Sequence, residues 1–132
     1  MSEKLRVAVY CRFAVAGEDE ATYREQLKIY YDELMNSHDD WEYIGIYIDH
    51  GAGTRNNQRP ELKRLLRHCK AGKIDLIVTR NASRLYRNAI DVIDLMRRLR
   101  MLERPVGVYI EDTKLKTLVA DGLPLSLLLP RR

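Results

Sequence analysis

The sequence has little that could cross-link a chain or anchor it in a bilayer. Its 132 residues contain two cysteines, Cys11 and Cys69, too few for a disulfide framework and in keeping with a reducing compartment. No apolar stretch approaches the roughly 20 residues that a bilayer span requires. The opening MSEKLRVAVY sets charge beside a very short apolar run with no small-residue cleavage site, so no secretory signal is read and a cytoplasmic location is expected. There is no Gly-Lys-Ser/Thr phosphate loop, and Gly51 and Gly53 lack the third glycine of a dinucleotide fingerprint. His50, His68, Cys11 and Cys69 follow no recognised ligand spacing, so neither a metal nor a nucleotide cofactor is expected. Internal repeats and low-complexity tracts are absent as well.

What is present is one domain's worth of ordinary material. Hydrophobic residues make up 45% and charged residues 32%, which is neither disordered nor membrane-like, and 15.5 kDa is enough to bury a single core. The net charge of +4 hides an uneven distribution. Residues 55–104 hold 14 basic and 5 acidic residues, or +9, whereas the rest of the chain sums to −5. The excess is mostly arginine, whose planar fork suits phosphate better than a lysine point charge does, so an anionic partner is indicated.

Apolar periodicity divides the chain into alternating strands and helices. Residues 5–11 are short and β-rich. Between 21 and 35, Tyr23, Leu27, Tyr30, Tyr31 and Leu34 recur at helical spacing, and the aromatic, β-branched run 41–48 reads as a second strand. Pro60 opens a second helix carrying Leu62, Leu65, Leu66 and Cys69 on one side and ending near Gly72. A strand at 74–79, a helix marked by Ile90, Ile93, Leu95, Met96, Leu99 and Leu102, and a strand at 106–110 follow. This order predicts an α/β fold of three layers, a mostly parallel central sheet flanked by helices. Sites in such sheets lie beyond the carboxyl ends of the strands, here the polar stretches 12–19, 49–59 and 80–88. The tail 123–132, rich in leucine but broken by Pro124 and closed by Pro130, forms a separate apolar appendage to a unit spanning 1–122.

Arg12, Arg59, Arg84 and Arg87 stand at or near strand ends, with Ser83 beside two of them and Arg80 opening the same loop. The spacing Ser83-Arg84-x-x-Arg87 predicts both guanidiniums on one side of a helix's first turn, an arginine clamp able to hold a phosphate without metal. A merely solvated helix face is the plainer alternative, although arginines there oppose the helix dipole. Asp49, at a strand end, reads first as a capping or loop-structuring carboxylate and second as an acid or base.

Several of these segments in this order resemble the catalytic domain of the serine recombinases, the resolvase and invertase family, and within it the large integrase and transposon recombinases. They are Val9-Tyr10-Cys11-Arg12, Gln26 in the first helix, Arg59-Pro60-Glu61-Leu62, residues 71–77 (Ala-Gly-Lys-Ile-Asp-Leu-Ile) and residues 83–88 (Ser-Arg-Leu-Tyr-Arg-Asn). The resemblance covers residues 6–121. It implies a resolvase-like fold and an enzyme that cuts DNA with a serine hydroxyl, forms a 5′-phosphoserine link, exchanges strands by subunit rotation within a tetramer and religates without a cofactor. By the same resemblance Arg12, Arg59, Arg84 and Arg87 hold the scissile phosphate, Arg80 and Ser83 add phosphate contacts, and Gln26 and Asp49 support them.

The family reads Tyr-Cys-Arg-Val-Ser-Thr where this chain reads Tyr10-Cys11-Arg12-Phe13-Ala14-Val15, so Ala14 occupies the place of the nucleophile. A methyl group cannot attack phosphorus. Phe13, Val15 and Ala52, where small resolvases carry a second loop serine, depart as well, which favours natural decay or repurposing over a lone serine-to-alanine change. The expectation is a domain that keeps the phosphate pocket but does not cleave, whose tail is a truncated or degenerate start of the family's dimerisation helix. DNA and a homo-oligomer, dimer or tetramer, are the implied partners, with no membrane. The alternative is an interaction module that forms mixed oligomers with an active recombinase. A flavodoxin-like regulatory domain ranks last, because the acidic cluster and lysine of a phosphoreceiver are missing.

Overall fold

The computed structural model describes residues 4–13, 20–50, 59–86, 88–112 and 115–116. Five strands and three helices alternate along it: β1 (Leu5–Phe13), α1 (Glu20–Asn36), β2 (Trp41–His50), α2 (Pro60–Lys70), β3 (Leu76–Thr79), α3 (Ala89–Arg100), β4 (Gly107–Ile110) and β5 (Leu115–Lys116). The strands form one sheet in the order β2-β1-β3-β4-β5, in which β1 to β4 are parallel and only β5 runs antiparallel. The expected three-layer α/β architecture is therefore the one adopted. The short β5 was not legible in the sequence, since two residues carry no period.

Alternation along the strands assigns each face its helices. Val7, Val9, Cys11, Leu76 and Val78 point to the side covered by α1, where Tyr31, Met35 and Trp41 join them. Ala8, Tyr10, Ile77, Val108 and Ile110 point to the other side, against Leu62, Leu65 and Cys69 of α2 and Val92, Leu95, Met96 and Leu99 of α3. Burying one such aliphatic side chain is worth roughly 1.5–3 kcal/mol, so each helix is held by its apolar stripe rather than by its own propensity.

Helix ends follow from local chemistry. Pro60 starts α2 where an amide would have no helical partner. At its other end Gly72 takes φ +80°, and the amides of Gly72 and Lys73 donate to the carbonyls of Cys69 and His68, the paired closure that a left-handed glycine permits. Asn88 caps α3, its side chain accepting from the Ile90 amide at 2.7 Å. Among the described residues, no helix is long and apolar enough to cross a membrane.

The topology locates a crevice. From β1 the chain passes over one face, through α1, to β2; from β3 it passes over the opposite face, through α3, to β4. Adjacent β1 and β3 are thus followed by helices on opposite faces, and the gap this leaves at the carboxyl end of the sheet is where an open α/β sheet receives a ligand.

Candidate functional site

A cavity of about 240 Å³ opens at that gap. It is lined by Tyr10, Cys11 and Arg12 from the end of β1, Tyr23, Leu27 and Tyr31 from α1, and Arg80 and Arg84 from the segment after β3. Three of the arginines singled out in the sequence, Arg12, Arg80 and Arg84, thus meet at one cavity, and among the described residues no acidic side chain lines it. Arg84 donates from Nη1 to the Arg12 carbonyl at 3.4 Å, and Tyr23 donates its hydroxyl to the same carbonyl at 3.3 Å. Thr79 Oγ1 donates to the Tyr10 carbonyl at 3.0 Å, holding the ends of β3 and β1 together beneath the cavity.

Arg59 lies beside this group but spends its donors inward. Its guanidinium donates to the carbonyls of Arg84 and Leu85, and Nη2 and Nε donate to the Tyr10 hydroxyl at 3.0 and 3.3 Å. Its centre stands 5.5 Å from the ring of Tyr10 and 5.4 Å from that of Tyr86. Tyr10 passes the chain of bonds on, donating to Asp49 Oδ2 at 2.7 Å. Burial pushes the Tyr10 hydroxyl well above the usual phenol range, and the Asp49 hydrogen bond adds to that against the opposing pull of Arg59, so it stays a donor. Asp49 is 2% exposed and accepts from the amides of Glu61 and Leu62, each at 2.9 Å, capping α2 from the end of β2. Asp49, Tyr10 and Arg59 therefore tie three segments to the turn that carries Arg84.

That turn differs from the expectation. Ala82–Arg84 form a single 3-10 turn, and α3 begins only at Ala89, so Ser83 and Arg84 do not sit on a helix's first turn. The physical reason is visible in Arg59, which occupies the carbonyls of Arg84 and Leu85 that a continuing helix would use, while the Asn88 cap starts a new helix. Ser83 is exposed and donates to Asn81 Oδ1 at 2.6 Å, steadying the turn. Gln26 is exposed on α1 and does not line the cavity. Ala14, Ala52, Arg87 and the tail 123–132 lie outside the described residues.

Sequence reasoning missed Glu111. It follows β4 and accepts from the hydroxyls of Tyr30 at 2.6 Å and Tyr31 at 2.7 Å, tying α1 to the end of β4. Its place at the end of the fourth strand was the available signal. Cys11 sits in the cavity wall as a packed, 6% exposed side chain. Burial pushes its thiol up to about 12 despite the nearby Arg84 charge, which removes it as a nucleophile at neutral pH. Among the described residues, no cluster of His, Cys, Asp and Glu could hold a metal ion.

A family model described as the resolvase N-terminal domain matches residues 7–122. The fold is similar to that of the N-terminal catalytic domain of TP901-1 integrase, at 20% identity and a TM-score of 0.63, over 89% of this chain and 85% of that one. It is also similar to a resolvase family site-specific recombinase from Streptococcus pneumoniae, at 23% identity and a TM-score of 0.69, over 95% of this chain and 83% of the other. At these identities the likeness is one of fold. No curated protein matches the chain.

Proposed function

This chain belongs to the resolvase N-terminal domain family, the catalytic domain of site-specific serine recombinases, and on that premise we propose that it binds DNA at the arginine cavity without cutting it. The observation that carries this reading is the meeting of Arg12, Arg80 and Arg84 at one cavity beside the strand that leads into Ala14. In the family's chemistry a serine oxygen attacks the phosphorus, and arginines neutralise the charge that grows on the non-bridging oxygens. Here the guanidiniums are retained, and the attacking oxygen is not. Arg87 joins the clamp by its place in the motif, with Ser83 and Gln26 in support. Arg59 and Asp49 serve by positioning, since one holds the carbonyls of the Arg84 turn and the other holds Tyr10 and α2.

The test uses an end-labelled DNA duplex and the unmodified chain. It is expected to bind in a salt-sensitive manner and to form no covalent adduct, and Arg84→Ala is expected to weaken binding about tenfold. A covalent adduct on the unmodified chain overturns the reading. Ala14→Ser restores the hydroxyl but leaves Phe13 and Val15 beside it. A placement error of ~1 Å costs about a hundredfold, so little activity is expected from that change alone.

The second reading is a partner that joins an active recombinase in a mixed oligomer. It is favoured by α3, which shows Ile90 at 72% exposure and is followed by Met101 at 82%. In either reading residues 1–122 are the working unit, the tail 123–132 is a truncated or degenerate counterpart of the start of the family's dimerisation helix, and the protein acts in the cytoplasm with its DNA. Failure to associate with an active recombinase at micromolar concentration, with DNA binding intact, counts against the second reading.

A further inference from the structure

Arg80 has an aromatic support of its own at the cavity. Its guanidinium lies over the ring of Tyr30, 5.7 Å from the centroid. An exposed tyrosine on a helix would ordinarily sample several rotamers, but the Tyr30 hydroxyl donates to Glu111 Oε2 at 2.6 Å. The other carboxylate oxygen, Oε1, takes the hydroxyl of buried Tyr31 at 2.7 Å, and the two tyrosine rings meet edge to face with centroids 4.8 Å apart. Glu111 is fixed in turn, because its amide donates to the Thr79 carbonyl at 3.0 Å and the Asp112 amide donates to the Arg80 carbonyl at 2.9 Å. The Arg80 backbone and the Tyr30 ring against its guanidinium are thus both tied to the β4 end.

We propose that Tyr30 and Glu111 are positioning residues that hold the Arg80 guanidinium at the cavity mouth for a second DNA phosphate, next to the one bound by Arg12 and Arg84. The proposal rests on the reading of the cavity as a DNA-phosphate site. Its physical sense is entropic: a long cationic side chain loses rotamer freedom when it binds, and a ring that confines it beforehand removes much of that cost. Both phenolic protons go to Glu111, so each of its carboxylate oxygens already accepts one hydrogen bond, and the pull of the carboxylate is directed at the tyrosines that support Arg80.

The experiment measures binding of the full chain to a DNA duplex across a series of salt concentrations. Each phosphate neutralised contributes about 0.9 to the slope of log K against log salt. Arg80→Ala is expected to lower the slope by about that amount, and Tyr30→Leu, which removes ring and hydroxyl, is expected to weaken binding several-fold. Combined, the two changes should do no more than Arg80→Ala alone, because both act through one contact. Tyr30→Phe keeps the ring and should recover part of the loss, which a general packing role for the hydroxyl would not produce. Tyr30 is 41% exposed, so these variants are expected to fold, as thermal unfolding will verify.

Additive losses from Arg80→Ala and Tyr30→Leu overturn the positioning role, and an unchanged slope in Arg80→Ala overturns the second phosphate, while an Arg84→Ala defect in the same assay leaves the cavity reading standing. Salt-insensitive binding by the unmodified chain overturns both.

Discussion

The two ends of the sheet carry arginines in opposite situations. At the amino end, Asp75 draws them in. Arg6 donates to it from its amide at 2.9 Å and from Nε at 3.0 Å, Arg104 donates at 3.3 Å, and Arg6 Nη2 also reaches the Gly72 carbonyl at 2.6 Å. At the carboxyl end, Arg12, Arg80 and Arg84 line a cavity that no acidic side chain lines among the described residues, and nearby Glu111 is engaged by two tyrosines. The same residue type is a strut where Asp75 accepts from it directly and a cavity-lining group where the nearby carboxylate, Glu111, accepts from tyrosines. Arg59 sharpens the contrast: it stands at the carboxyl end, yet it is tied down by carbonyl oxygens and behaves like the arginines at the other pole.

The largest effect is therefore expected from Arg59→Ala. It strips the carbonyls of Arg84 and Leu85 and the Tyr10 hydroxyl of a charged donor and removes the guanidinium's contacts with the rings of Tyr10 and Tyr86, a loss of roughly 2–4 kcal/mol. Urea denaturation should show it. If stability is unchanged while DNA binding collapses, Arg59 belongs with the cavity group and the contrast fails. Asp49→Ala comes next at about 2 kcal/mol, since it uncaps α2 and leaves the Tyr10 hydroxyl without an acceptor. Asp49→Asn, which can still accept, should lose less by the same measurement.

The smallest effect concerns acid stability. Burial alone would raise the Asp75 carboxyl, but the hydrogen bonds and charge of Arg6, with the charge of Arg104, outweigh it and hold the group below the usual carboxylate range. A carboxyl lowered by folding adds stability that is complete above its unfolded value of about 4 and lost as pH falls through the folded value. Asp75→Asn should therefore be less stable at neutral pH and lose less on acidification. An acid limb as steep as that of the unmodified chain would show that the amino-end network contributes nothing.

The arrangement of strands and helices was legible because its signals are local. Leu62, Leu65 and Cys69 recur at helical spacing and turn out buried against the sheet; Ile77 and Val78 alternate and turn out on opposite faces. The ends at Pro60 and Gly72 were legible for the same reason. The candidate site was legible in part. Arg12, Arg80 and Arg84 were marked by their places after strands, but the helical pairing expected for the Arg84 segment was not adopted, because Arg59 claims two carbonyls that a helix needs. No property of residues 80–88 encodes that interference. Glu111 was overlooked for a like reason, since nothing near it in the chain announces two tyrosines 80 and 81 residues away.

Sequence by itself determined the parallel α/β layout, the concentration of arginine in one half, the order of motifs that marks the family and the alanine at position 14. All of these are matters of period, composition or spacing, and they survive without knowledge of which residues touch. Tertiary structure alone decided which arginines face the cavity, that Arg59 is spent on the backbone and that Tyr30 is fixed beneath Arg80. Those outcomes depend on hydrogen-bond partners brought together from distant strands and helices, and the burial of the sheet's two faces is what brings them there.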